Sequence, residues 1–536
     1  MALDETLAGF NINASASNEF VLQEIMNLVW PTVYITTGAL KEVLNTEFVT
    51  SVKVTSNPQT ITYVINPKAV WQDGTPITAD DFIYNYQTLS GNPSFKDTDG
   101  TAYQPAGTSG YNQMASVTGS QPANGAACSA GSAADRNAGL CPNGDTVTVK
   151  FTTPFADWQS LWGDLVPAHI ARTVGWNTGF TGAAQAISGS WYTIQSASDS
   201  SVVLVRNTKY WGTPGKLDSI VFQQFGSDDQ EVPALANGEV QVINPATVSL
   251  SIVQATKQVP KVTAVTTPGL EFEHFDFNEA NTYLKKLAVR QAIAYGTNRK
   301  EIISHTVGEI DPAVKPLGNH MYMNTQPQYV NDGALYTNVN VKKAKSLLTA
   351  AGFKMGKDHY FHPSYGPQKG SDLKFTISST TGNPTRSATE QLFQANMKKV
   401  GIKIVIQNYA AADFFGTIVP KGQFDIAEFA WVGSPFVTGN YSVYCSYTNA
   451  SLCGENWDHF ANKSLDKLEV AGNSATSPAV EAKDYNSADK ILWQYMVTLP
   501  LYQKPIFNAW SSTLGNVISN ASSSGITWNG NDWGLN

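Results

Sequence analysis

Residues 71–87, WQDGTPITADDFIYNYQ, restrict the fold more than any other stretch, because a turn, a stiff exit and a helix start follow one another without a gap. Asp73-Gly74 supplies a turn in which glycine tolerates positive φ, and Pro76 stiffens the way out. Thr78 is placed to cap a helix that carries Asp80 and Asp81 in its first turn, where the positive end of the helix dipole favours acids. Phe82, Tyr86 and Leu89 then fall at i, i+4 and i+7 and present one apolar stripe to a core. The stretch therefore predicts a helix seated on a folded body, and its acids are explained by the helix start rather than by chemistry.

That body is large. A chain of 536 residues exceeds one ordinary hydrophobic core, so two or more domains are expected. Hydrophobic residues make up 42% and charged residues 15%, with a net charge of -8, a balance that favours a soluble globular protein and speaks against nucleic-acid binding. No run of 18 apolar residues occurs, and the opening MALDETLAGF lacks the basic and apolar regions of a signal peptide. Four cysteines form two close pairs in sequence, Cys128 with Cys141 and Cys445 with Cys453, each in a stretch rich in small and polar residues. Local disulfides are the simplest connectivity and point to an oxidising compartment, with free thiols as the alternative. Neither pair has CxxC spacing or a nearby histidine, so no zinc site is expected.

Taken in order, residues 51–65 alternate β-formers about Pro58 and predict a hairpin. Residues 90–146 are polar and turn-rich and read as an elaborated loop, followed by a strand at 147–151. Phe155, Trp158, Leu161 and Trp162 have helical spacing. His169 has no partner at i+4 and reads as a hydrogen-bonded structural residue rather than a metal ligand. Residues 217–243 alternate strand, short helix and strand, the rhythm of an α/β lobe with parallel pairing. A strand is expected at 271–278 and a single helix at 284–305, with Arg290 and Arg299 read as helix-surface charges. Residues 373–406 make a β-α-β unit whose helix carries Ala388, Leu392 and Ala395 and stops at Gly401. Arg386 in its first turn is read either as a bidentate carboxylate clamp or as a solvated surface group. The strand FDIAEFAW ends at Trp431 and leads into Gly433-Ser434-Pro435-Phe436.

Several segments together resemble the extracytoplasmic solute-binding proteins of peptide and nickel ABC importers, family 5. They are the 71–87 stretch, Pro167-Ala168-His169-Ile170, Ile187–Ile194, the turn Asn207-Thr208-Lys209-Tyr210-Trp211, Val289-Arg290-Gln291-Ala292-Ile293 with Asn298-Arg299, and Leu499-Pro500-Leu501-Tyr502, spread from about Val52 to Pro505. The resemblance implies an α/β, two-lobed periplasmic-binding-protein-like fold (type II, cluster C) with an extra domain inserted in the first lobe. It divides the chain into 1–45, lobe I; 46–185, the extra domain; 186–270, lobe I again; 271–504, lobe II; and 505–536, the C-terminal return to lobe I. It also implies capture of peptides between the lobes and delivery to a membrane permease, by a monomeric, extracytoplasmic protein. The export signal and any lipid anchor would lie outside this sequence. No catalysis, cofactor or metal is expected.

The ligand-binding residues expected on this basis are Trp30, Pro31, Arg386, Glu428, Trp431, Gly433, Ser434, Phe436, Asn456 and Trp457. Relatives that bind peptides carry, after the tryptophan, an aspartate that grips the ligand's ammonium end; here Gly433-Ser434-Pro435 stands in its place. Either Glu428 replaces that charge, although its odd spacing from Trp431 puts it on the opposite strand face unless the strand bends, or Ser434 and nearby carbonyls hold a different or uncharged end. Oligosaccharides are the alternative ligand, favoured by 13 tryptophans. A secreted hydrolase is the second functional class, and no GxSxG, HExxH or P-loop motif supports it.

Overall fold

In the computed structural model the chain divides into two units, residues Met1–Thr267 with Ile506–Asn536, and residues Pro268–Pro505. The structure describes all residues except 4–6, 121–126, 130–144, 246–247 and 448–452. Among the described residues no helix is long and apolar enough to cross a membrane.

The first unit is built from α1 (Phe20–Val29), β1 (Val49–Ser56), β2 (Gln59–Ile65), α2 (Ala79–Leu89), β3 (Met114–Ser120), β4 (Thr146–Phe151), β5 (Tyr192–Ser198), β6 (Ser201–Arg206), β7 (Ser219–Gln224) and β8 (Val242–Ile243). An antiparallel sheet runs β1-β2-β4-β3 and ends on Ala127–Ser129. In β2 the buried positions are Gln59, Ile61, Tyr63 and Ile65, the period of two that a half-buried strand requires. A second sheet runs β5-β6-β7 and adds Ala2–Leu3. β3 lies within the stretch whose sequence reads as loop: its alternation, Met114, Val117 and Gly119 inward, is broken by a bulge between Met114 and Ser116 and therefore escapes a period-two reading. The expected parallel pairing in 217–243 is also largely replaced. β7 is parallel only to Ala2–Leu3 and antiparallel to β6, while β8 is antiparallel to Ala509–Trp510. Around Phe155–Trp162 only Trp158–Ser160 is helical, as a single 3-10 turn: Leu161 is already extended at φ -76° and ψ 151°, and Trp162 follows at φ 64°.

The 71–87 stretch folds as its chemistry dictates. Gly74 sits at φ 93°, and the Asp73 Oδ1 accepts from the Thr75 amide at 2.9 Å. Thr78 and Asp81 form a capping box, in which the Thr78 amide donates to Asp81 Oδ2 at 3.0 Å. Asp81 Oδ1 also accepts from the Ala168 amide at 3.0 Å, and Asp80 pairs with Arg172, whose guanidinium lies 4.9 Å from the Tyr84 ring centre. His169 completes the junction by meeting Asp73 at 2.8 Å. The two adjacent acids thus tie the start of α2 to the helix Ala168–Val174.

The chain passes between the units within β9 (Val262–Phe277). The second unit then holds α3 (Leu287–Gly296), α4 (Arg299–Ser304), β10 (Lys374–Ser378), α5 (Pro384–Val400), β11 (Lys403–Ile406) and β12 (Ile426–Val432). The chain returns within β13 (Thr498–Ser511). The strand order is β13-β9-β12-β10-β11, with β10 parallel to both β11 and β12 and β9 antiparallel to β12. α5 is the crossover between β10 and β11, capped by Asn383 and ended by Gly401 at φ 95°.

Two expectations for this unit are corrected. The single helix 284–305 is two helices: the Asn298 amide is drawn to Asn396 Oδ1 at 2.6 Å while its own side chain caps α4. Arg290 and Arg299 are buried, not surface charges. Arg290 donates to the carbonyls of Leu284, Tyr495 and Met496 and pairs with Glu279 at 3.0 Å. Arg299 donates to the carbonyls of Leu317 and Pro500 and sits 5.7 Å from the Trp493 ring centre. Burial lowers the Arg299 pKa to about 10.

Candidate ligand-binding site

The strand carrying Trp431 pairs without a register shift through Glu428, and register decides what each side chain meets. β12 pairs with β9 as Phe272↔Trp431, Glu273↔Ala430, His274↔Phe429 and Phe275↔Glu428. Directly opposed residues share a face and successive residues alternate, so Glu428, Glu273 and Phe275 point one way, and Trp431, Phe429, His274 and Phe272 the other.

The first face lies against α5. Phe275 packs on Phe393 with ring centres 4.7 Å apart. Arg386 is buried there, neither a solvated group nor a free clamp. Its Nη2 donates to Glu273 Oε1 at 3.1 Å, its Nε lies 3.3 Å from both Glu273 oxygens, and its Nη1 donates to Thr380 Oγ1 at 2.9 Å. Burial works most strongly against the guanidinium charge, yet Glu273, helped by Glu428 and Tyr502, raises the Arg386 pKa overall. Glu428 is fully buried beside this pair. Burial first, then the neighbouring Glu273 and Glu390, push its carboxyl well above the usual range, with Arg386 and the Thr389 hydroxyl acting the other way. One guanidinium faces three glutamates, so a buried proton is cheaper than a third buried charge. The buried face of α5, which includes Arg386, Thr389, Glu390, Phe393 and Met397, is also rotated from the Ala388, Leu392, Ala395 stripe that apolar spacing suggests. Polar residues are buried there because they serve one another.

The opposite face is aromatic. Trp431 stacks on Trp457 with ring centres 5.1 Å apart and planes 27° from parallel, and Phe429 meets both edge-on or tilted at 5.1 and 5.4 Å. His274 stacks on Trp431 at 5.9 Å. A single π-helical turn, Phe414–Ile418, sets Phe414 and Phe415 at 6.3 and 5.9 Å from Phe429. Such turns are rare in helices and recur at functional sites. Trp431 and Trp457 are half-buried and Phe415 is 40% exposed, so the cluster is a wall with an open side rather than sealed core. Sequence reading names Trp431 and Trp457 as separate candidates, which the structure brings together, and does not name Phe415, Phe429 or His274. For Phe429 and His274 the signal was present in the period-two alternation of their strands; for the π-helical turn no sequence pattern announces it.

The loop after Trp431 is held by its own backbone. The Ser434 hydroxyl donates to the Phe436 carbonyl at 2.8 Å and accepts from the Phe436 amide at 3.1 Å. A side chain at Gly433 would come within 2.3 Å of the Leu270 carbonyl, so glycine is required for the strand to close there. Ser434 is exposed and Phe436 half-buried. Asn456 is buried and donates to the carbonyls of Cys445 and Phe460 at 2.7 and 3.0 Å, fastening the loop closed by the Cys445–Cys453 disulfide. Cys141 lies outside the described residues, as does the side chain of Cys128. In the first unit Trp30 and Pro31 are both buried. Trp30 meets Phe180 edge-on at 5.6 Å and lines a cavity of about 30 Å³ together with Asn27, Tyr34, Ser190 and Trp191.

Residues 44–451 match the model of the bacterial extracellular solute-binding proteins, family 5. The chain belongs to this family. Family 5 members similar to it include the oligopeptide-binding protein OppA of Mycobacterium tuberculosis H37Rv, 28% identical over 528 residues, which cover 96% of this chain and 81% of that protein. Among solved structures, the periplasmic EDTA-binding protein EppA superposes with a TM-score of 0.85 at 22% identity, over 100% of this chain and 95% of the other. The oligopeptide-binding protein AppA of Bacillus subtilis, in complex with a nonapeptide, superposes with a TM-score of 0.75 at 18% identity, over 100% of this chain and 98% of the other. The two-lobed α/β architecture expected for a family 5 protein is therefore the fold of this chain.

Proposed function

We propose that this protein is the oligopeptide receptor of an ABC importer, binding a peptide and handing it to a membrane permease without making or breaking a bond. The observation that carries this reading is the correspondence to the mycobacterial oligopeptide-binding protein along 96% of the chain. The protein acts outside the cytoplasm as a monomer, with residues 46–185 as an extra domain of the first lobe.

Within that reading the Trp431–Trp457 wall contacts the ligand, because planar side chains present area at small entropic cost and tolerate varied partners. Glu428 does not replace the missing aspartate. It faces Arg386 and Glu273, away from Trp431, and its carboxyl favours the proton. Ser434 and the carbonyls of its loop instead hold a different or uncharged end of the ligand, and Arg386, already spent on Glu273, leaves any carboxylate to other donors.

Purified protein, denatured and analysed by mass spectrometry for released small molecules, tests the ligand class. Peptides are the expected cargo. Glycans among the released species, recovered stoichiometrically, would establish the oligosaccharide alternative that stacked tryptophans also fit.

A further inference from the structure

Apart from the aromatic wall, the second unit gathers a histidine and two aspartates at one point. Lys354–Met355 and Phe361–His362 form a small hairpin, with Lys354 opposite His362. His362 Nε2 lies 2.9 Å from Asp358 Oδ2 and 3.7 Å from Asp372 Oδ1, and the three ligand-type atoms all fall within 4.8 Å of one another. Two carboxylates converge on one ring nitrogen, which has at most one proton to offer.

Each carboxylate is steadied from outside the trio. Asp358 Oδ1 accepts from the Tyr360 amide at 3.1 Å. Asp372 Oδ2 accepts from Lys403 Nζ at 3.0 Å, and that ammonium also lies 5.9 Å from the Tyr360 ring centre. Both Asp358 oxygens face Nε2, at 3.1 and 2.9 Å, whereas Asp372 gives one oxygen to Lys403 and turns the other toward Nε2. This is the arrangement by which outer partners orient ligands around a metal. Ligand atoms bound at 2.0–2.2 Å in a tetrahedral site stand roughly 3.3–3.6 Å apart, so only small side-chain shifts separate the observed trio from a coordinated one. One imidazole and two carboxylates, partly open to water, suit a borderline divalent cation with water in the remaining position.

We propose that Asp358, His362 and Asp372 form a divalent transition-metal site that clips the 354–362 hairpin to the sheet strands beginning near Asp372 and Lys403. The clip acts locally within the second unit and is independent of the ligand bound at the aromatic wall. Lys403 is the internal rival for Asp372: with the metal absent it supplies the positive charge, and with the metal present it keeps only the outer oxygen.

The test is calorimetric titration of Zn²⁺ into the full chain, freed of metal by passage over a chelating resin, at pH 7.5. One saturable equivalent with micromolar affinity is expected, together with a raised thermal midpoint. His362→Ala should weaken binding at least tenfold, Asp372→Asn should do the same, and Lys403→Ala should retain or tighten it. Circular dichroism of each metal-free variant verifies that the fold is retained. Absence of saturable binding, or unchanged Zn²⁺ affinity in both His362→Ala and Asp372→Asn, overturns the proposal.

Discussion

At the scale of single residues, the same strand separates a recognition surface from a buried ionic cluster. Trp431→Ala removes one partner of the Trp431–Trp457 stack and its contact with Phe429, and it should weaken ligand binding by roughly tenfold to a hundredfold, the equivalent of about 1.5–3 kcal/mol. Glu428→Gln preserves the shape and neutrality of the group favoured in the fold, so calorimetry should find ligand affinity unchanged within error. A loss comparable to that of Trp431→Ala would place Glu428 on the ligand after all. Asp164 gives a pH-dependent test of the first unit. Burial raises its pKa from 3.8 to about 6, against the help of a hydrogen bond from Gln23. Because the folded state holds the proton more tightly than the unfolded chain, the contribution is full below pH 4 and is lost as pH rises through 6. The size is about 3 kcal/mol at most. Asp164→Asn should abolish that slope in denaturant unfolding curves recorded between pH 4 and 8. The residue occupies φ 46°, which asparagine tolerates.

Elements were legible where local chemistry alone decides them. The α2 start could be read because Thr78, Asp80 and Asp81 act on neighbouring backbone, and the hairpin β1–β2 because alternation and a proline turn are local. Thr78→Ala should cost about 1 kcal/mol through loss of the cap, whereas Asp81→Ala should cost more, since its carboxylate accepts from both the Thr78 and the Ala168 amides. Denaturant midpoints measure both. What could not be read depended on partners distant in sequence. Asn298 breaks the expected 284–305 helix by bonding Asn396, and Arg290 and Arg299 are buried because carbonyls from Leu317, Tyr495, Met496 and Pro500 receive them. Arg386, on α5, likewise reads as a clamp or a solvated group because its partner Glu273 lies far off in sequence, on β9. Of the candidate site, Trp431 and Trp457 as individual candidates and the opposite facing of Glu428 could be read from sequence and strand period, whereas the stacking of the two indoles could not. The π-helical turn bearing Phe415 could not be read either, because an extra residue in one helical turn has no compositional mark.

On the scale of the whole molecule, the Cys445–Cys453 disulfide and the ligand are stabilisers that experiment can remove. Reducing Cys445–Cys453, or replacing both by alanine, releases a short loop in the second unit and should cost about 2.5 kcal/mol on the chain-entropy model. The Asn456 bonds to Cys445 and Phe460 would loosen with it, so ligand affinity should fall together with the thermal midpoint. A receptor that binds its ligand only when folded gains RT ln(1 + [L]/Kd), about 2.7 kcal/mol at a hundredfold excess over Kd, so the midpoint should rise with peptide concentration. The most direct measurement is titration of ligand-stripped protein with oligopeptides, with the mixture assayed for cleavage afterwards. The account predicts one saturable equivalent of intact peptide, weakened by Trp431→Ala and untouched by Glu428→Gln. No saturable binding of any peptide, or peptide recovered as fragments, would contradict it.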